Sequence, residues 1–119
     1  MTTHWKIFSA ALLVLSLSGS LQAEGEPMKV SSAEAMKAAT SKPSPTYPTV
    51  AKQLKVEGEV QVQVVIGEEG KVEEATVVTG HPLLNKAALE TAREWKFTPF
   101  KNNGKKVKAR AVLTIPFKI

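Results

Sequence analysis

With 119 residues the chain holds one domain and not two, and its 43% hydrophobic and 23% charged content is that of a globular protein. There is no cysteine, which excludes a disulfide framework, a thiolate nucleophile and a thiolate zinc site. The formal net charge of +5 is unevenly spread: from Trp95 onward there are seven basic residues and no acidic one, a bias that suits an anionic partner or a guarded sheet edge.

The N-terminus reads as a targeting segment. Lys6 is followed by 11 almost wholly apolar residues, 7–17, and then by the small and polar Ser18-Gly19-Ser20-Leu21-Gln22-Ala23. That order predicts a secretory signal cleaved after Ala23. The apolar run falls short of the ~20 residues of a membrane span, so an uncleaved inner-membrane anchor is the alternative reading. Residues 24–45 read as a weakly ordered linker. Within it, the stretch beginning at Ser32 predicts a short helix to about Thr40, with Ser31 or Ser32 as its N-cap. Lys42-Pro43-Ser44-Pro45 is stiff and extended, because proline fixes φ and turns each preceding residue away from helix.

The domain proper is expected over residues 46–119. Pro48 suits a helix start, and Val50, Ala51 and Leu54 form one stripe before Gly58. Val60, Val62, Val64 and Ile66 then recur every second residue, the signature of a half-buried strand. Gly67-Glu68-Glu69-Gly70 breaks the run, and a second strand follows from Val72 to Thr79. Val72 and Val77 share a face only if an extra residue intervenes, which predicts a bulge near Glu73 and Glu74. After the turn at Thr79-Gly80-His81-Pro82, residues 83–95 predict a second helix whose inner arc is Leu84, Ala88, Ala92 and Trp95. Asn102-Asn103-Gly104 is the next turn, and residues 106–117 read as a long third strand with one apolar face. Pro116 cannot donate to a ladder, so this strand is expected at a sheet edge. The fold class is therefore α+β: a three-stranded antiparallel sheet with two helices packed on one face.

No catalytic constellation accompanies this framework. His4 lies in the leader, and His81 sits beside Pro82 in a turn without an orienting partner. No triad, phosphate-cradling loop or metal spacing is present, so the chain reads as a non-enzyme needing no cofactor. Lys106, Lys108 and Arg110 lack the interleaved aromatic residues that single-strand nucleic acid requires. They are compatible with protection of an edge strand and with β-augmentation, in which a guest peptide adds as a further strand.

The sequence also carries a resemblance. Tyr47-Pro48-x-x-Ala51-Lys52, Gly58-x-Val60-x-Val62, Gly70-x-Val72, Leu84-Asn85-x-Ala87-Ala88-x-x-x-Ala92-x-x-Trp95-Lys96-Phe97-x-Pro99 and Ile115-Pro116-Phe117 resemble, in order, the C-terminal domain family of TonB energy transducers. The resemblance implies a periplasmic domain of Gram-negative bacteria that contacts TonB-dependent outer-membrane transporters. In that family a receptor segment, the TonB box, pairs with the last strand near the Tyr-Pro segment. Carried over, the expected partner-binding residues are Thr46, Tyr47 and Pro48 as the wall, and Lys106, Lys108, Arg110, Val112 and Thr114 as the edge. The expected partner is a TonB-dependent receptor segment or another periplasmic peptide, and not nucleic acid. Two features depart from the family: the hydrophobic segment reads as cleavable, and the spacer holds only Pro27, Pro43 and Pro45. These leave a second reading open, a stand-alone envelope module without energy coupling that binds another component or forms a homodimer through its open edge.

Overall fold

A computed structural model describes residues 26–119, so the expected signal segment, 1–23, lies outside the described residues. The element order is β1 (Met28–Lys29), α1 (Ser32–Ala38), β2 (Ala39–Ser41), α2 (Thr49–Gln53), β3 (Gly58–Ile66), β4 (Val72–Thr79), α3 (Asn85–Glu94), β5 (Lys96–Phe97), β6 (Phe100–Asn102), β7 (Lys105–Val107) and β8 (Ala109–Phe117). The main sheet runs β1-β8-β3-β4. It contains the three expected antiparallel strands, β8, β3 and β4. The expectation of three strands is corrected by β1, which adds a fourth, parallel to β8. Two further two-stranded pairs, β2 with β5 and β6 with β7, stand apart from it.

The alternation read along the sequence becomes the core. Val60, Val62, Val64 and Ile66 of β3 and Ala109, Ala111, Leu113, Ile115 and Phe117 of β8 are all buried, while Glu59, Gln61 and Gln63 remain exposed. Leu84, Ala88, Ala92 and Trp95 close over this face together with Phe97. The alanines have no long side chain to hold the helix off, so α3 lies close on the sheet and Trp95 anchors its end. Thr91 is buried as well, and its hydroxyl donates to the Ala87 carbonyl at 2.8 Å.

The bulge lies where the phase conflict demands it. Val65 pairs with Glu74 and Ile66 with Val72, which leaves Glu73 as the extra residue. A second shift, between Gln61–Thr79 and Val62–Val77, makes Val78 extra and leaves its side chain exposed. The insertion at Glu73 puts Val72 and Val77 on the same face, packed against the core. At the β3–β4 turn, Gly70 has φ +88°, and a Cβ there would fall 1.9 Å from the Phe97 carbonyl oxygen. Only glycine meets both conditions. The same contact lets Phe97 donate its N–H to the Gly70 carbonyl at 2.9 Å.

Three expectations need correcting. The linker assigned to 24–45 is tied down over residues 28–41: β1 pairs with β8, Ala35 of α1 is fully buried, and β2 pairs with β5. The short helix expected there is present, and Ser31 is its cap, accepting the Glu34 N–H at 3.1 Å. In α2 only Ala51 faces inward; Val50 and Leu54 are 53% and 63% exposed, because a five-residue helix turns too little surface inward to bury a stripe. The third long strand is two pieces. Lys105–Val107 turns back on Phe100–Asn102 as a hairpin whose tip, Asn103 (φ 55°) and Gly104 (φ 81°), is a left-handed two-residue turn, and only from Ala109 does the chain join the main sheet.

Candidate docking edge

Strand β8 lies between β3 and β1, and its backbone groups alternate between them. Met28 N–H donates to the Lys108 carbonyl at 2.8 Å and Val30 N–H to the Arg110 carbonyl at 2.9 Å. The even-numbered residues therefore turn their backbone groups toward β1, and the odd-numbered ones bond to β3. Beyond Arg110 the partner is gone, because the chain leaves the edge at Ser31 to begin α1. Along the rest of β8, about 20 Å from Arg110 to Pro116, no strand among the described residues pairs on the outer side. Val112 and Thr114 each offer an N–H and a C=O there, and Pro116 offers a carbonyl alone. The missing donor of Pro116 falls on the outer side, where it costs no bond to β3; this is how a proline fits into a nine-residue strand.

The structure distributes the sequence-predicted residues unequally along this edge. Arg110, Val112 and Thr114 lie on β8 with half-buried side chains on the face away from α3. Lys108 precedes the strand, and its ammonium pairs with Glu73 at 3.1 Å. Lys106 is not on the edge: it belongs to the β6–β7 hairpin, opposite Lys101, and reaches Glu69 at 3.6 Å. Both ion pairs are about half exposed and contribute at most ~1 kcal/mol each. The cationic character expected of the edge thus rests chiefly on Arg110, with Lys108 engaged to a bulge glutamate.

At the other end, Tyr47 is held by two contacts. Its ring meets Phe117 edge-on, with centroids 5.5 Å apart and planes at 88°, and its hydroxyl donates to the Val56 carbonyl. Partial burial, and secondarily the Glu57 carboxylate, raise the hydroxyl's pKa above the ordinary phenol value, so it stays a donor. Tyr47 lines a shallow depression with Ser44, Pro45, Pro116, Phe117 and Lys118 at the end of β8. Thr46 and Pro48 turn the other way, toward Ala87 and Glu90 of α3, and Pro48 serves as the cap of α2 with φ −63°. The sequence reading missed Ser44, Pro45 and Lys118; the adjacency of the first two to Tyr47 was the available signal. His81 has a local task, its Nδ1 accepting the Leu83 N–H at 3.0 Å.

The family described as Gram-negative bacterial TonB protein C-terminal matches residues 43–119. The chain belongs to the TonB C-terminal domain family. Among solved structures, this TonB-like domain is similar to the solution NMR structure of the Pseudomonas aeruginosa TonB C-terminal domain, with 26% identity and a TM-score of 0.56 over 68% of this chain and 84% of that one. No curated protein matches. The family match begins at residue 43, so β1, α1 and β2 precede it, and the TonB-like part contains α2, β3, β4, α3 and β8. No helix among the described residues is long and apolar enough to cross a membrane.

Proposed function

We propose that this TonB-like domain works in the periplasm as a non-catalytic docking module, taking an extended segment of an outer-membrane transporter along β8 by strand addition. The observation that carries the reading is the pair of outward-facing backbone groups at Val112 and Thr114, which have no strand beside them among the described residues. Main-chain hydrogen bonds supply affinity in this mode and side-chain contacts supply selectivity. Arg110 favours an acidic residue on the guest, and Tyr47, Pro45 and Lys118 bound the far end of the track.

Pairing of two copies along β8 is a poorer fit. An antiparallel self-pair would set Arg110, Lys108 and Lys118 of one copy against the same strand of another, and like charges at short range across strands are destabilising. A heterologous acidic or neutral guest avoids that cost. The test is an amide-shift titration of the isotope-labelled protein with a peptide copied from a transporter's TonB box. Shifts centred on Val112 and Thr114 support strand addition; shifts confined to α2 and α3, or none at millimolar peptide, would overturn it.

A further inference from the structure

The strand that shortens the docking edge belongs to the chain itself. With β1 in place only Val112 and Thr114 can both donate and accept, too little ladder for a stable added strand. Releasing β1 together with the Val30 N–H would return the Arg110 N–H and the carbonyls of Lys108 and Arg110 to the edge, extending the track at its basic end.

The hold of β1 is weak for reasons written in its sequence. It is two residues long, and its only donors toward β8 are the Met28 N–H and, just beyond it, the Val30 N–H. In the parallel register Lys29 lies beside Arg110, so two cations share one face of adjacent strands, a pairing that opposes association. What holds β1 lies after it: Val30 packs against the core, and Ser31 caps α1, whose Ala35 is fully buried. The segment can peel from its N-terminal end, hinging at Val30 and Ser31, without moving α1.

We propose that Met28–Lys29 is a resident competitor for the docking edge: a guest peptide running parallel to β8 displaces it, placing an acidic side chain beside Arg110 where Lys29 sits in the free protein. The inference rests on the strand-addition reading and adds to it a gate, a direction and a charge preference. The hydrogen bonds that Met28 and Val30 make with Lys108 and Arg110 bias the population toward the closed edge by roughly tenfold or more. The partner must overcome that bias, and an acid in place of a lysine contributes to doing so.

The experiment uses a capped peptide of alternating valine and threonine with one glutamate at its N-terminal end, titrated into two variants. In Lys29→Cys/Arg110→Cys the paired Cα atoms are about 4.8 Å apart, as in any sheet, within disulfide range. Because the chain has no other cysteine, oxidation locks β1 shut and reductant frees it. The expected result is at least tenfold weaker binding when oxidised than when reduced, measured on the same protein. In Met28→Pro/Val30→Pro both donors to β8 are removed with Arg110 intact, and the peptide should bind severalfold more tightly than to the unaltered chain. Equal affinity of the oxidised and reduced forms, and of the proline variant and the unaltered chain, with shifts still at Val112 and Thr114, would overturn the competitor role and leave strand addition standing. No binding to the proline variant would overturn both.

Discussion

Replacing Val112 with proline is the sharpest perturbation of the edge, because the structure separates its effect on docking from its effect on folding. The Lys108 and Arg110 carbonyls point away from β3, so the Val112 N–H does too, and its removal leaves the β3–β8 ladder whole. Proline also restricts the preceding residue to extended backbone, which Ala111 already adopts in β8. The folding cost is therefore limited to part of a half-buried valine side chain, about 1 kcal/mol. Docking loses one main-chain hydrogen bond and leaves a guest carbonyl facing the ring. At an edge where water can reach that carbonyl the loss is about 1–2 kcal/mol, or roughly five- to thirtyfold in Kd. Leu113→Pro is the contrasting variant: its N–H faces β3 and its side chain is fully buried, so it should cost ~3 kcal/mol or more of stability. Calorimetric titration with a TonB-box peptide, alongside thermal melts of both variants, reads the two effects separately. A folded Val112→Pro protein with undiminished affinity would refute the reasoning.

Other expectations follow from the same geometry. Arg110→Glu should slow association several-fold at low salt and converge toward the parent rate near 1 M, where the Debye length is about 3 Å; stopped-flow rates that ignore salt would dismiss steering. Lys106→Glu, off the edge and paired with Glu69, should change docking affinity little in the same assay. Gly70→Ala places a Cβ 1.9 Å from the Phe97 carbonyl oxygen at positive φ, and a loss of about 2 kcal/mol or more is expected in urea unfolding. Tyr47→Phe retains the edge-on contact with Phe117 but strands the Val56 carbonyl, and should cost about 1 kcal/mol by the same measurement.

What the sequence made legible follows the length over which each pattern repeats. The valines of β3 and the apolar positions of β8 alternate over nine residues each, and both the core and the edge location of Pro116 follow from them. The Glu73 bulge was readable because Val72 and Val77 could not otherwise share a face. The β1 strand was not readable: two residues carry no period, and their place beside β8 follows from the docking of α1, directly after them in the chain, on the core. The break at Lys108 was hidden for a different reason. Val107 and Ala109 keep the alternation in phase although they belong to β7 and β8. For that reason Lys106 looked like an edge residue. Val50 and Leu54 satisfied a helical stripe that α2 is too short to bury. At the site, the resemblance located Tyr47 and β8 correctly near one another, while the opposite orientation of Thr46 and Pro48 depends on the turn into α2.

Hydrogen exchange at two amides tests the central claim most directly. In the free protein the N–H groups of Val112 and Thr114 face outward and should exchange quickly, while their neighbour Leu113, bonded to β3, should be slow. Addition of a saturating TonB-box peptide should slow Val112 and Thr114 by tenfold or more and leave Leu113 unchanged. If both amides exchange at the free rate while the peptide is demonstrably bound, the guest does not add to β8 and the account is wrong.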